Sequence, residues 1–405
     1  MKCLLVTTHY KPLIGGALTV YDALASHAGG AIEVLTAHTD YVDGTEVEGW
    51  QAFDQAAPYK IHRIKELRPI RDREPSLRNR VLGKVGAWQL NRIVLEKTLA
   101  LIDEGGFDTI CIGALDTLGW LAAAVQKQRD VKTSIFVHGE EVSQRAYSER
   151  ATERRRTALQ SADLVFAVSS FTAGILKTEY GVPEGRVCLQ TNGVDLKLFD
   201  GRDMSEHRSA LGLADKPLVF ACGWLVARKG FDKLVEAWPE VLNQVPNAQL
   251  KIAGGGALEE TLKTQLEDKQ LRDSVELLGW VNTDDLIRWH GMADVFIMPN
   301  RTLPDGDTEG FGLVFLEAAA MGTPSIGGRA GGAVDAIRHG ETGLLIEAEA
   351  PENISVALIQ LLTDDSYRNQ LASQAQAYAR TQGWDRKTEA FLDKLEQLTQ
   401  GQRDG

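Results

Sequence analysis

The stretch DTEGFGLVFLEAAAMGTPSIGG, residues 307–328, carries two carboxylates, Glu309 and Glu317, on either side of a Gly-Phe-Gly step. The helix-forming residues that follow predict a helix beginning near Gly312, with Glu309 in the preceding loop and Glu317 about a turn and a half inside the helix. The free N–H groups from Gly310 to Leu313 would face an anion, and carboxylates accept hydrogen bonds from hydroxyls. A ligand with a central phosphate and hydroxyl-bearing groups on both sides, such as a nucleotide sugar, fits this pattern.

The same stretch also has a purely structural interpretation. Glu309 could stabilise the positive end of the helix dipole, and Glu317 could be a solvated helix residue. The neighbouring triplet Asp305-Gly306-Asp307 has the spacing of a divalent-cation site, but in a Pro/Gly/Asp loop it favours turn chemistry. We therefore expect neither a metal site nor a bound cofactor.

Three other stretches place polar or glycine residues directly after an apolar, strand-like run. Gly15-Gly16 precedes an amphipathic helix and could bind an anion, although a plain tight turn is the other interpretation. His138 ends the run FVHGEEV, where it is either a packed histidine or part of a pocket. Arg228 and Lys229 stand before a glycine and a helix, so they form either a phosphate clamp or an exposed basic loop.

Short apolar runs alternate with helical segments along the whole chain, which predicts parallel sheets with crossover helices. The first series is KCLLVTT, IEVLTA, DTICIG, KTSIFVHG, ADLVFAVS and RVCLQTNG; the second is PLVFACG, QLKIAGGG, SVELLGW, DVFIMPN, TPSIGG and TGLLIE. The fold class expected is α/β, with two Rossmann-like doubly wound domains facing a cleft. We expect the domains at residues 1–196 and 197–375, and a C-terminal helix at 376–405 that could cross back to the first domain.

The composition of the 405-residue chain excludes some classes of protein. A formal charge of −12 argues against a nucleic-acid binder, and no apolar run is long enough for a transmembrane helix. The residues from Lys60 to Arg92 include ten Lys or Arg against three Asp or Glu. This segment could contact an anionic lipid, or it could be a solvated helix on its own domain. The four scattered cysteines indicate reduced thiols, so we expect a cytoplasmic protein, possible also as a peripheral protein on the inner face of the membrane.

In order along the chain, these motifs resemble those of the retaining glycosyltransferases of family four, which have the GT-B fold. The likeness rests on HGEE, SSFTAGILKTEYG, TNGVDLKLF, RKGFDKLVEAW, LLGWV and the stretch ending in DTEGFGLVFLEAAAMGTPSI. The segments ARKGFDKLVEAWPEV and VHGEEV are similar in sequence to those of the bacterial phosphatidylinositol-mannoside mannosyltransferases and their relatives, which use GDP-mannose.

The resemblance implies a role for each matching residue. Glu317 would hold the ribose hydroxyls, Glu309 the donor sugar's hydroxyls, and Lys229 the leaving diphosphate. The backbone around Phe311, Gly312 and Leu313 would bind sugar and phosphate oxygens.

The remaining positions would line the same donor site. His138 would lie beside the donor sugar and the acceptor, and Gly16 against the phosphate or the acceptor. The base would contact the region around Gly279, Trp280 and Pro299.

The family commonly has Arg directly after the glycine of its GR...KG block, and this chain has Trp224 there. Arg228 could supply the missing charge. The function implied is metal-independent, retaining transfer of a hexose from GDP-mannose or a UDP-hexose to a hydroxyl of a lipid or glycan acceptor. A non-catalytic nucleotide-sugar-binding protein and a nucleotide-sugar epimerase are the alternatives. An NAD-dependent oxidoreductase is disfavoured because G-x-G-x-x-G is absent.

Overall fold

The structure, a computed structural model, describes residues 1–70, 77–145 and 148–400, and within these ranges it describes all side chains except those of residues 77–85. The chain divides into two compact units, Met1–Gln190 with Trp384–Gly405, and Thr191–Gly383. Each unit is built on one parallel sheet, which confirms the predicted α/β fold class of two parallel-sheet domains.

The first unit contains, within the described ranges, seven parallel strands in the order β3-β2-β1-β4-β5-β6-β7. The strands are β1 Cys3–Val6, β2 Ile32–Ala37, β3 Ile61–Ile64, β4 Thr109–Ile112, β5 Lys132–Val137, β6 Leu164–Ala167 and β7 Val187–Leu189. The helices are α1 Gly16–His27, α2 Trp50–Ala56, α3 Leu77–Gly105, α4 Leu115–Leu118, α5 Trp120–Gln126, α6 Glu140–Ser143, α7 Glu149–Ser161 and α8 Ser170–Thr178. The strand β3 was missed because Ile61–Ile64 mixes apolar and basic residues, as an edge strand can.

The second unit has six described strands, also parallel, in the order β10-β9-β8-β11-β12-β13. They are β8 Leu218–Cys222, β9 Gln249–Ala253, β10 Val275–Gly279, β11 Val295–Met298, β12 Ser325–Gly328 and β13 Gly343–Ile346. The helices are α9 Ser205–Ala210, α10 Phe231–Gln244, α11 Glu259–Asp268, α12 Thr283–Met292, α13 Leu313–Ala320, α14 Ala333–Ala336, α15 Pro351–Thr363 and α16 Asp365–Ala379.

The last helix, α17 (Trp384–Gln400), belongs to the first unit, although it follows the second unit in the chain. Its Phe391 is buried, and the ring lies 4.6 Å from that of Phe166 in β6, centroid to centroid. The side-chain amide of Gln190 donates to the carbonyl of Lys387 at 2.9 Å. Burial of one such aromatic side chain contributes about 1.5–3 kcal/mol, so α17 helps to stabilise the core of the first unit.

The strand order of each sheet reverses its direction of winding at one place. In the first unit this place lies between β1 and β4, and in the second it lies between β8 and β11. Ligands of open α/β sheets bind beyond the carboxyl ends of the strands at such a point. Gly16 follows β1, Lys229 follows β8, and Glu309 follows β11.

The basic segment Lys60–Arg92 is only partly covered by the structure. Residues 71–76, and the side chains of 77–85 with Val81 and Val85 among them, lie outside the described residues. In the described part of α3, Trp88 and Ile93 are exposed. Among the helices that the structure describes, none is long and apolar enough to cross a membrane.

Candidate active site

Lys229 and Glu309 form an ion pair between the loops that follow two neighbouring strands, β8 and β11. The Lys229 Nζ lies 2.5 Å from Glu309 Oε2 and 3.3 Å from the Met298 Sδ. Only 11% of the Lys229 side chain and 13% of the Glu309 side chain are exposed. The strand order brings these charges together, because β8 and β11 are adjacent although far apart in sequence.

The loop after β8 approaches the loop after β11 through Gly230. Its φ of 73° is left-handed, and a Cβ there would meet the Pro299 carbonyl oxygen at 2.0 Å, so only glycine fits. The Arg301 N–H donates to the Arg228 carbonyl at 2.8 Å, and the Arg301 guanidinium donates to the Asp232 carboxylate at 2.9 Å. These contacts fix Lys229 relative to the loop that carries Glu309.

The loop after β12 holds Glu309 from the other side. The Gly332 N–H donates to the Glu309 carbonyl at 2.8 Å. The Asn300 side chain accepts from the Gly328 N–H and donates to the Ala330 carbonyl, each at 3.0 Å. Three successive strand ends therefore position one carboxylate, a rigid arrangement of the kind that binding and catalytic groups require.

The electrostatic surroundings keep Glu309 ionised. Burial alone would raise the pKa of its carboxyl, but the ammonium of Lys229, the guanidinium of Arg228 and the N–H of Phe311 lower it below its usual value. Arg228 itself lies 3.3 Å from an Asp307 carboxylate oxygen. The loops after β8 and β11 are thus joined by two ion pairs, Lys229 with Glu309 and Arg228 with Asp307.

The triplet around Gly306 forms a turn, as the sequence favoured. The Asp305 carboxylate accepts the Asp307 N–H at 3.1 Å, which is an Asx-type turn contact. Among the residues that the structure describes, no group of three or more His, Cys, Asp or Glu is arranged to hold a metal ion.

Glu317 lies inside helix α13, which begins at Leu313 after Gly312. Gly312 has a φ of 88°, and a Cβ on it would meet the Phe315 ring at 2.6 Å, so the turn into the helix requires glycine. The Glu317 Oε2 lies 3.8 Å from the Nε2 of buried His290, and it has no hydrogen-bond partner among the described residues. Burial raises the pKa of Glu317 to about 7 and lowers the pKa of His290 to about 3.

The backbone from Gly310 to Leu313 leads into α13, but one of its amides is already engaged. The Phe311 ring is buried, and its N–H binds the Glu309 carboxylate. One of the amides predicted to face an anion, that of Phe311, is therefore directed at the Glu309 carboxylate. The helix start after Gly312 supplies the remaining free N–H groups.

Of the predicted base-contacting residues, Gly279 ends β10 and Trp280 follows it. Gly279 has a φ of 67°, and Trp280 is 57% exposed. The third residue, Pro299, lies at the end of β11 beneath Gly230. Pro299 thus adjoins the loop of Lys229, whereas Gly279 and Trp280 are at the end of another strand of the same sheet.

In the first unit, His138 contacts Tyr21. The His138 Nε2 lies 2.7 Å from the Tyr21 hydroxyl, which donates to the Gly113 carbonyl at 2.8 Å. Burial lowers the pKa of His138 to about 4, so the ring is neutral. Because the Tyr21 hydroxyl donates its hydrogen to the Gly113 carbonyl, its oxygen accepts a hydrogen bond from His138. The neutral His138 ring therefore carries its proton on Nε2 and leaves Nδ1 as an acceptor.

Glu141 holds the backbone of His138 through its side-chain carboxylate. Its carboxylate oxygens accept the His138 backbone N–H at 3.1 and 3.2 Å. Burial raises the pKa of Glu141 to about 7. Gly16 begins α1 in this unit, and no atom stands within 4 Å of the place where its Cβ would be, so packing within the described chain does not require glycine there.

The sequence analysis missed three residues that contact the predicted site residues. Tyr21 was seen only as part of an amphipathic helix face, Asp307 only as a turn residue, and His290 not at all. Motif spacing cannot indicate such partners, since each contact crosses between elements. The best available signal was the position of His290 on the buried face of α12, together with Ile287 and Met292.

Two family models match the chain. Residues 15–198 match "Glycosyltransferase Family 4", and residues 203–378 match "Glycosyl transferases group 1". A GDP-mannose-dependent alpha-(1-6)-phosphatidylinositol monomannoside mannosyltransferase from Mycobacterium tuberculosis is 32% identical over 90% of this chain and 89% of its own. The corresponding monoacylated-substrate enzyme of Corynebacterium glutamicum is 29% identical over 98% of both chains.

Solved structures with the same fold include the Anabaena protein HepE in complex with UDP. It has a TM-score of 0.78 at 20% identity and covers 98% of this chain and 100% of its own. Sucrose-phosphate synthase from Thermosynechococcus elongatus has a TM-score of 0.78 at 22% identity and covers 99% of both chains. The chain belongs to the family 4 glycosyltransferases of the GT-B fold, which confirms the predicted family and class of enzyme.

Proposed function

We propose that this glycosyltransferase moves mannose from GDP-mannose to a hydroxyl of a lipid or glycan acceptor, with retention of anomeric configuration and without a metal ion. The mycobacterial and corynebacterial relatives are named as GDP-mannose-dependent mannosyltransferases acting on phosphatidylinositol mannosides. The observation that carries the proposal is the enclosed Lys229–Glu309 pair, with the helix start at Leu313 and Glu317 beyond it.

Donor binding exchanges the partners of this pair. The diphosphate takes the Lys229 ammonium and the Arg228 guanidinium, and the hexose hydroxyls donate to Glu309. Glu317 accepts from the ribose hydroxyls. For Lys229 and Glu309 one charge-assisted hydrogen bond replaces another, so these two enclosed charges do not lose their partners when the donor binds.

The reaction breaks the bond between the mannose anomeric carbon and the β-phosphate oxygen, and the bonding electrons stay with GDP. The acceptor oxygen forms the new bond to that carbon on the same face, and its proton passes to the leaving phosphate oxygen. Lys229, Arg228 and the N-terminus of α13 stabilise the charge that grows on the phosphate, where preorganised donors have their largest effect. No metal is needed for this balance.

Two further residues that we propose to contact ligand, His138 and Gly16, belong to the first unit. The neutral His138 ring offers Nδ1 as an acceptor to a sugar hydroxyl, with Tyr21 holding the ring in that orientation. It does not act as a general acid at neutral pH, since a pKa of about 4 leaves the ring unprotonated. Gly16 leaves room at the start of α1 for an oxygen of the phosphate or the acceptor.

The basic segment Lys60–Arg92 would hold the enzyme on an anionic surface on the cytoplasmic side of the membrane. The exposed Trp88 and Ile93 of α3 support this, since aromatic and aliphatic side chains among basic residues favour such a surface. Sedimentation with phosphatidylinositol vesicles at low salt tests it: binding that disappears at high salt is expected, and failure to bind would contradict it.

The function is tested by incubating the protein with GDP-mannose and vesicles containing a phosphatidylinositol mannoside. The expected product carries one additional hexose by mass and an α-linkage by NMR, with and without EDTA. UDP-glucose in a parallel reaction tests the other donor class. An unchanged acceptor with either donor would contradict the proposal, and an isomerised nucleotide sugar would indicate an epimerase.

A further inference from the structure

Two exposed indoles meet at the carboxyl edge of the second sheet. Trp224 is 48% exposed and Trp280 is 57% exposed. Their ring centroids are 4.7 Å apart, with the planes at 77°, so the pair has an edge-to-face geometry. Such a pair forms a corner of two nearly perpendicular planes and leaves much apolar aromatic surface in water, which is unfavourable unless a ligand covers it.

The backbone builds this corner. Trp224 follows β8 and Trp280 follows β10. The intervening strand β9 is followed by three glycines, which carry no side chains into the space between the two indoles. A Cβ on Gly255 would meet the Trp280 indole nitrogen at 2.6 Å, and a Cβ on Gly256 would meet the Leu225 carbonyl oxygen at 2.7 Å. Any larger residue in this turn would push the two indoles out of place.

Hydrogen bonds fix the same loops. The Leu225 N–H donates to the Gly255 carbonyl at 2.9 Å, and the Gly254 N–H donates to the Gly279 carbonyl at 2.7 Å. These bonds tie the residues next to Trp224 and Trp280 to one turn. The corner is therefore a rigid feature of the sheet edge.

The corner adjoins the charged residues of the donor site. The place of a Cβ on Gly223, directly before Trp224, is 3.8 Å from the Lys229 Nζ. Cys222 lies one residue earlier, with its Sγ 3.9 Å from the His290 Nε2, which in turn is 3.8 Å from a Glu317 carboxylate oxygen. The residues at the end of β8 thus lie between the aromatic corner and the proposed ribose- and phosphate-binding residues, Glu317 and Lys229.

We propose that Trp224 and Trp280 together form a stacking platform for the donor's nucleobase and give the enzyme its preference for purine over pyrimidine nucleotides. One indole stacks on the face of the base, and the other contacts its edge. A purine covers more of this surface than a pyrimidine does. This inference rests on the proposed function; it adds Trp224 to the donor site and gives a structural reason for a purine base.

Trp224 then has a different role from the Arg that the family commonly carries at this position. The Trp224 indole packs against Trp280 and stacks on the base, while Lys229 and Arg228 neutralise the charge of the phosphates. Base stacking on an aromatic side chain changes affinity by roughly tenfold or more per base, and a purine places a larger face on the indole than a pyrimidine does.

The test measures binding by calorimetry of GDP, UDP and inorganic pyrophosphate to the full-length wild type and to W224L, W280L and W224R. The matched control is W88L, which removes an exposed tryptophan from the first unit. For the wild type and W88L we expect GDP to bind about tenfold more tightly than UDP. For W224L and W280L we expect this preference to fall to about twofold or less, with pyrophosphate affinity unchanged. W224R should bind pyrophosphate more tightly and also lose the preference.

Each other outcome has one meaning. A wild type that binds GDP and UDP equally overturns the platform but leaves the donor site intact. The same follows if W224L keeps the purine preference, or if it loses pyrophosphate binding as strongly as GDP binding, since Trp224 would then act as a scaffold. A wild type that binds none of the three ligands overturns the proposed function together with this inference.

Discussion

Glu309 and Glu317 belong to one stretch of sequence and are both largely buried, yet the pKa values of their carboxyls shift in opposite directions. The pKa of Glu309 lies below its usual value because Lys229 and Arg228 outweigh the effect of burial. Burial raises the pKa of Glu317 to about 7, and the ring of His290, 3.8 Å away, is itself kept neutral by burial and does not oppose that rise. The presence of a cation, and not the depth of burial, decides the charge of each group.

This difference assigns different tasks to the two carboxylates. Glu309 is charged at any physiological pH, so it can hold a sugar hydroxyl permanently and also anchor Lys229. Glu317 carries a proton for part of the time near neutral pH. A ligand that needs Glu317 as an acceptor must therefore displace that proton, which links donor binding to pH.

The largest expected effect comes from breaking the charged pair. Glu309→Gln and Lys229→Ala should each reduce the rate of transfer by about a hundredfold or more, because oriented charge at the reacting groups is lost. Initial rates with saturating donor measure this. Lys233→Ala is the matched control, since Lys233 forms an exposed pair with Glu236 on α10 and should keep wild-type activity. Near-normal transfer in both site variants, with an unchanged thermal melt, would contradict the assignment of the site.

The second prediction concerns the neutral neighbour of Glu317. In the folded protein burial lowers the pKa of His290 to about 3, whereas in the unfolded chain the ring has its ordinary pKa of 6.5. Its contribution to stability is present above that value and is lost as the pH falls. His290→Phe removes the linkage, so its free energy of unfolding relative to the wild type should improve by about 2 kcal/mol between about pH 7.5 and about pH 5.

Urea unfolding at the two pH values measures this change. His207→Phe, at an exposed position of α9, serves as the control and should shift in parallel with the wild type. Glu317 and Cys222 both face His290, so the same unfolding curves should be recorded for Glu317→Gln. A pH dependence of His290→Phe equal to that of the wild type would show that the pKa of His290 in the folded protein lies close to its ordinary value.

The third prediction uses the pH dependence of donor affinity. Below its pKa of about 7, the Glu317 carboxyl is protonated and accepts the ribose hydroxyls poorly, so affinity for GDP-mannose should rise about tenfold from pH 6 to pH 8. Glu317→Gln should bind more weakly and lose this slope, whereas Glu276→Gln, at an exposed pair with Lys251, should retain it. A slope that persists in Glu317→Gln would assign the titration to another group.

The smallest effect is expected at Gly16. Because no described residue beyond its chain neighbours and its own helix backbone has an atom within 4 Å of the added Cβ, Gly16→Ala should fold with a melting temperature within a few degrees of the wild type. If a phosphate or acceptor oxygen occupies that space, the KM for donor or acceptor should rise several-fold. Unchanged kinetic constants would place the ligand away from α1.

The sequence predicted the sheets better than it predicted the contacts. The apolar runs correspond to every strand of the second unit and to all but β3 of the first, because buried parallel strands are nearly continuous apolar segments. The Glu309 loop and the start of α13 also follow from local patterns, since glycine before a helix-forming run marks a helix start.

The partners within the site could not be predicted in this way. Lys229 meets Glu309 because β8 and β11 are neighbours in the sheet, and His138 meets Tyr21 because α1 passes β5. Such contacts depend on strand order and on side-chain direction, which leave no spacing signal in the sequence. The opposite pKa shifts of Glu309 and Glu317 depend on those contacts, so they could not be anticipated from two Glu residues in one motif.

The central claim is that Lys229 holds the diphosphate while Glu309 holds the sugar, and calorimetric titration with GDP, which lacks the sugar, separates the two. In the free protein Glu309 competes with the diphosphate for Lys229. Glu309→Gln should therefore bind GDP at least as tightly as the wild type, while Lys229→Ala binds it about tenfold or more weakly. If Glu309→Gln weakens GDP binding as much as Lys229→Ala does, the division of roles between these two residues is wrong.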